Sequence, residues 1–184
     1  RSEYTHPELA WAADSRIILL TAHRRDNLGQ PLLNMFLAIR RIVDECADIK
    51  VIYPIHMNPL VRHAAESIFS NHSLIHLIEP LDVIDFHIFM ARSYLILTDS
   101  RGLQAAATSL GQPVLVMRAT TEHPEGIEVG TLKLVGTNED TIYHEFHRLL
   151  HDPSEYSRMS HASNPYGDGY ACQRIVKALE ESLA

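Results

Sequence analysis

Six short apolar runs divide the chain at a regular beat: Ile17–Thr21 (IILLT), Val51–Ile55 (VIYPI), Leu74–Leu77, Tyr94–Thr98 (YLILT), Val114–Met117 and Leu132–Val135. Each is nearly continuous rather than alternating, which is how strands buried on both faces read. Between them, apolar residues recur at three- and four-residue steps. Leu32, Leu33, Phe36, Ile39 and Val43 form one such series, Val61, Ala64, Ala65 and Ile68 a second, and Ile142, Phe146, Leu149 and Leu150 a third. That spacing is the buried stripe of a helix. Strands alternating with helices predict a parallel sheet covered on both faces, and right-handed crossovers reduce the topology to a Rossmann-like doubly wound α/β fold. The end of the chain reads differently. A turn-rich patch, Asn164-Pro165-Tyr166-Gly167-Asp168-Gly169, precedes a helix expected over roughly 168–184. Ile175 and Leu183 on that helix are expected to cover an edge of this domain or to reach a second one.

Composition narrows the picture. A chain of 184 residues with 46% hydrophobic content suits one domain, 1–184, with a sizeable core. The formal net charge of −7 argues against a nucleic-acid partner, which needs clustered cations. Two cysteines, Cys46 and Cys172, are too few for a disulfide framework and fit a reduced cytosol. The 12 histidines raise the question of a metal, but neither H-E-x-x-H nor C-x-x-C occurs, so no metal site is expected. No apolar run approaches the ~20 residues of a membrane helix. The opening RSEYTHPELAWAADSR is polar and mixed in charge, unlike a signal peptide. A cytoplasmic protein without membrane association is the expectation.

The candidate chemistry gathers at the predicted C-terminal ends of the strands, where open α/β sheets bind ligands. Thr21, His23, Arg24, Arg25, Asp26, Asn27 and Gly29 follow the first run, and His56, Asn58 and Pro59 the second. Asp82 and Phe86 follow the third, Asp99, Ser100, Arg101 and Gly102 the fourth, and Arg118, Thr120, Thr121, Glu122 and His123 the fifth. Any one of them reads equally as a cap or a loop residue, Ser100 as an N-cap above all. Five strand ends carrying such residues together favour a site. One position is unusual: Arg101 stands at a helix start where a backbone-cradled phosphate favours glycine. With Ala105, Ala106 and Ala107 along the next turn, the sequence offers it an anionic ligand or Asp99 as its partner.

In order and spacing, TAHRRDNLG, YPIHMNP, EPLDVIDF, LTDSRGLQ, SLGQPVLVMRATTEHPEGIEVGT and SHASNPYGDG closely resemble the C-terminal half of the non-hydrolysing UDP-N-acetylglucosamine 2-epimerases. The resemblance runs from about Pro7 to the C-terminus. It implies the second Rossmann-like domain of a GT-B pair, with UDP-GlcNAc bound in the cleft and an N-terminal domain of the same protein as partner. It further implies a cytoplasmic enzyme of cell-envelope polysaccharide biosynthesis, commonly a homodimer, that uses no metal or redox cofactor. The reaction so implied converts UDP-GlcNAc to UDP-ManNAc by eliminating UDP to a glycal and adding it back. His23 matches the family histidine beside the diphosphate and is the implied catalytic group. Leu81 matches a backbone contact to uracil, and Phe86 the aromatic residue against that ring. Ser100, Arg101 and Gly102 match the Ser-Gly-Gly that holds the β-phosphate. Arg24 and His56 match contacts to an allosteric second UDP-GlcNAc.

Three positions depart from the family pattern. Arg101 replaces a glycine, Gln104-Ala105-Ala106 replaces Gln-Glu-Glu so that Ala106 stands where a glutamate would accept the ribose hydroxyls, and His123 replaces an arginine. The residues therefore leave room for other readings. These are a diverged, catalytically impaired member acting as a binding or regulatory module, a hydrolysing relative, or a GT-B glycosyltransferase domain.

Overall fold

The computed structural model describes residues 6–167 and 169–183, without the side chain of Leu183. A short helix α1 (Pro7–Trp11) leads into β1 (Arg16–Thr21), a 3-10 turn at Arg25–Asn27 and α2 (Gln30–Glu45). Then follow β2 (Ile49–Pro54), α3 (Pro59–Phe69), β3 (Ile75–Ile78), α4 (Val83–Arg92), β4 (Leu95–Thr98) and α5 (Arg101–Ser109). The remainder is β5 (Val114–Val116), α6 (Pro124–Glu128), β6 (Leu132–Leu134), α7 (Glu139–His151), α8 (Pro153–Ser160) and α9 (Ala171–Leu183). The six predicted strands are present, with ends shifted by one or two residues.

All strand pairs are parallel, in the order β3-β2-β1-β4-β5-β6. This is the doubly wound Rossmann-like order. The apolar runs are continuous because each strand buries both faces. Ile18 and Leu20 point into a cluster with Leu32, Phe36 and Ile39 of α2, Val61 and Phe69 of α3, and Ile142 and Phe146 of α7. Ile17 and Leu19 point the other way, toward Leu9, Phe89, Met90 and Ala107 of α1, α4 and α5. Each fully buried Leu, Ile or Phe contributes about 1.5–3 kcal/mol by leaving water. The three predicted helical stripes thus lie on one face of the sheet.

Chain order reverses between β1 and β4, and their C-terminal ends open a crevice at that switch point. Gly29 makes the entry to α2 possible: at the N-cap its φ is +87°, a backbone conformation that favours glycine. The expected terminal helix forms as α9. Ile175 is 58% exposed, and Val176 and Leu179 are exposed beside it. An amphipathic spacing shows that a helix has an apolar stripe without showing which surface the stripe meets. Asp168 and the Leu183 side chain lie outside the described residues.

Candidate functional site

The site is organised by one buried carboxylate. Asp99, just past β4, is fully buried. It accepts the backbone N–H of His23 at 3.1 Å on each oxygen, the N–H of Arg24 at 2.9 Å and the Asn27 side-chain amide at 3.0 Å. Such hydrogen bonds compensate a charge removed from water, and here they also pull the loop after β1 across the end of β4. The two strand ends are joined beneath by the Thr21 and Thr98 hydroxyls, 2.7 Å apart and buried. From β2, the Tyr53 hydroxyl donates to the Ala22 carbonyl at 2.5 Å. Burial raises the Tyr53 phenol above its ordinary range, with the Asp99 charge adding to the effect, so it stays a donor.

Held this way, His23 lies against His56 from the loop after β2, the rings parallel within 7° at 5.0 Å. His56 accepts the Asn58 N–H through Nδ1 at 3.1 Å, and Asn58 caps α3. Burial lowers the pKa of His23 below its ordinary 6.5. The Asp99 charge opposes that shift, and His56 and Arg24 reinforce it. A neutral imidazole at pH 7 follows, able to accept or relay a proton.

Two hollows meet at this pair. One, of about 400 Å³, is lined by Thr21, His23, Ile55, His56, Leu81, Phe86, Ser100 and Leu103 among others. Apolar walls with a few convergent polar groups are the usual make-up of a small-molecule site. The second, about 470 Å³, is polar and lined by His23, Arg24, Arg25, Asp26, His56 and Asn58. The structure thus brings His23, His56, Leu81, Phe86 and Ser100 together in one pocket and puts Arg24 in its neighbour. Arg24 also pairs with Asp26 at 3.5 Å. Asp82 caps α4 by accepting the Asp85 N–H at 2.8 Å.

The rim beyond β5 is built differently. Ser100 occupies the N-cap position of α5, yet its hydroxyl makes no capping bond, contrary to the simplest expectation for such a serine. Its N–H donates to Thr98 Oγ1 at 2.9 Å, and its carbonyl accepts from Gln104 at 3.2 Å. Buried Gln104 in turn accepts the Thr121 hydroxyl at 2.7 Å, and Thr121 Oγ1 accepts the His123 N–H at 3.1 Å. The sequence alone gives Gln104 no role of its own. Its one signal is the four-residue spacing from Ser100, which lets its amide turn back on the helix start.

Of the two partners expected for Arg101, Asp99 is not the one it takes. Asp99 is fully engaged by the β1 loop, and the Arg101 guanidinium instead donates to Glu122 Oε1 at 2.6 Å. Arg118 grips the same carboxylate at 2.6 and 3.1 Å and lies 3.9 Å from Asp26. Arg101 first and Arg118 second hold the Glu122 carboxyl far below its usual range. Gly102, Ala106 and His123 do not line the main pocket, nor does Arg101. Ala106 is half-buried against the second core cluster. His123 is the N-cap residue of α6, with its ring edge-on to Tyr166 at 5.5 Å and Nδ1 3.3 Å from Glu125.

The family model for UDP-N-acetylglucosamine 2-epimerase matches residues 1–180. The chain belongs to the UDP-N-acetylglucosamine 2-epimerase family. It is 60% identical over 179 residues to a UDP-N-acetylglucosamine 2-epimerase of Bacillus subtilis, covering 97% of this chain and 47% of that protein. Among solved structures it resembles S. aureus MnaA in complex with UDP, at 49% identity and a TM-score of 0.95, over 100% of this chain and 50% of the other. It also resembles the UDP-GlcNAc 2-epimerase of Neisseria meningitidis bound to UDP-GlcNAc, at 41% identity and a TM-score of 0.87, over 92% and 46%. The chain therefore spans about half the length of the relatives it matches, and its fold is that of the C-terminal half of a GT-B pair. Among the described residues no group of three or more His, Cys, Asp or Glu side chains is placed to hold a metal ion, and no helix is long and apolar enough to cross a membrane.

Proposed function

We propose that residues 1–184 form the UDP-binding C-terminal domain of a non-hydrolysing UDP-GlcNAc 2-epimerase that needs an N-terminal partner domain for turnover. The observation that carries this reading is the single 400 Å³ pocket at the β1/β4 switch point, which joins His23 and Ser100 to Leu81 and Phe86. In this reading the Phe86–Leu81 wall takes the uracil. The diphosphate lies toward Ser100, where the first N–H groups of α5 have no acceptor within the helix. Breaking the sugar C1–O bond leaves a new negative charge on the β-phosphate oxygen. His23, above that position, stabilises the charge or supplies its proton, while the C2 proton leaves to a base on the partner domain. Return of a proton to the opposite face of C2 and re-addition of UDP at C1 give the epimer. Arg24 and His56 in the adjoining polar hollow are proposed to contact a second nucleotide sugar. A cytoplasmic, envelope-directed and dimeric enzyme is part of the same reading.

The Arg101–Glu122 pair and the carboxylate-free face at Ala105 and Ala106 favour one second reading, a family member that binds the nucleotide without turning it over. Two measurements test and separate these. Calorimetry on the chain is expected to show heat with UDP, and no binding at millimolar UDP would reject both. In deuterated water, NMR should show no exchange of the C2 proton of UDP-GlcNAc with the isolated chain. Exchange by the chain alone would reject the need for a partner domain, and epimerisation by the two-domain protein would reject the non-catalytic reading.

A further inference from the structure

The two guanidiniums on Glu122 are held very differently. Arg118 is anchored: its side chain is 7% exposed, makes two bonds to Glu122 and lies beside Asp26. Arg101 is 55% exposed, and its one ion-pair contact among the described residues is Glu122, reached by a single bond from one terminal nitrogen. Arg101 also directly follows Ser100, which lines the pocket. Its side chain can therefore leave Glu122 at little steric cost, and that carboxylate keeps Arg118 when it does.

We propose that Glu122 holds Arg101 until the terminal phosphate of a bound nucleoside diphosphate takes over the arginine. The exchange makes the pair a selector for ligands that extend a multiply charged end past Ser100. The inference rests on the nucleotide-binding reading above and adds the residues that set ligand charge preference. One carboxylate of charge −1 holds Arg101 through one bond, whereas a terminal phosphate offers more charge and two oxygens matched to the guanidinium fork. A nucleoside monophosphate, one phosphate shorter, lacks the group that competes for the arginine. The exchange leaves no charge unpaired, because Glu122 stays on Arg118. That distinguishes it from breaking an ordinary ion pair.

The test is a double-mutant cycle read by calorimetry with UDP and UMP, on Glu122→Gln, Arg101→Ala and the double variant. Glutamine keeps the shape of the side chain while weakening its hold on the guanidinium. Glu122→Gln is expected to tighten UDP by about tenfold and UMP by far less. In the Arg101→Ala background the same change should tighten UDP by no more than about twofold, the residue of a screened long-range repulsion. A thermal melt verifies that each variant is folded. As a second readout, the Arg101 Nε–H resonance should shift on adding UDP while the Arg118 resonance stays in place. Equal tightening in both backgrounds, or tighter UDP binding by Arg101→Ala alone, would overturn the proposal while leaving the nucleotide site intact. If neither the parent chain nor any variant binds UDP, the site reading fails and the inference with it.

Discussion

The two sides of the crevice make the same kind of turn, from a strand end into a helix, and secure it by opposite means. On the β1/β4 side a fully buried carboxylate, Asp99, holds two backbone N–H groups and one side-chain amide. On the β5 side the comparable carboxylate, Glu122, is partly exposed and held mainly by side chains, those of Arg101 and Arg118. Backbone partners fix where a loop runs. Side-chain partners on a solvated rim can be exchanged. His23, His56, Leu81 and Phe86 lie on the first side, and Arg101, Ala106 and His123 on the second.

The largest effect should come from attacking the rigid side. Asp99→Ala strands the N–H groups of His23 and Arg24 and frees Asn27, and should lower stability by about 3 kcal/mol. A urea titration that moves the midpoint only slightly would show that the β1 loop holds its course without the carboxylate. On the variable side, Ala106→Glu should tighten UDP by about ten- to a hundredfold, if a ribose acceptor is what the second half lacks. Its thermal midpoint should change little, because position 106 is only half-buried. An unchanged affinity in a well-folded variant would show that position 106 does not contact the ribose. The smallest effect is electrostatic. NMR titration should find the His23 imidazole protonating below its ordinary 6.5, and His56→Gln should raise that value by removing the electrostatic interaction with His56 that lowers it. A base depressed in the fold contributes stability fully above about pH 6.5, and the contribution is lost as pH falls through the folded value. His56→Gln should therefore leave the onset near pH 6.5, raise the pH at which the loss is complete and make the loss smaller, and a titration unmoved by the substitution would mean that His56 takes no part in the shift.

Much of this was readable in advance because it depends on short-range periodicity. Continuous runs such as IILLT require cover on both faces, and the stripes at Leu32–Val43 and Ile142–Leu150 supply cover on one of them. Parallel pairing and right-handed crossovers then carry the strand ends, with His23, His56 and Ser100, to one crevice. The resemblance in motif order pointed to the same residues.

What the tertiary structure alone decided concerns pairs whose meeting depends on loop paths. Asp99 reads in sequence as a companion for Arg101, two residues away, yet its carboxylate is claimed by the loop 72–76 residues earlier in the chain. Arg101 finds its partner 21 residues on, at Glu122, because the turns after β4 and β5 run side by side. Gln104 is an unremarkable helix residue until burial forces its amide to find Ser100 and Thr121. Periodicity specifies which face of an element is buried, since burial of apolar area is non-directional and needs only the right side turned inward. Charge and hydrogen-bond partners are directional and short in range, so they are settled only when the packed elements bring particular atoms within about 3 Å.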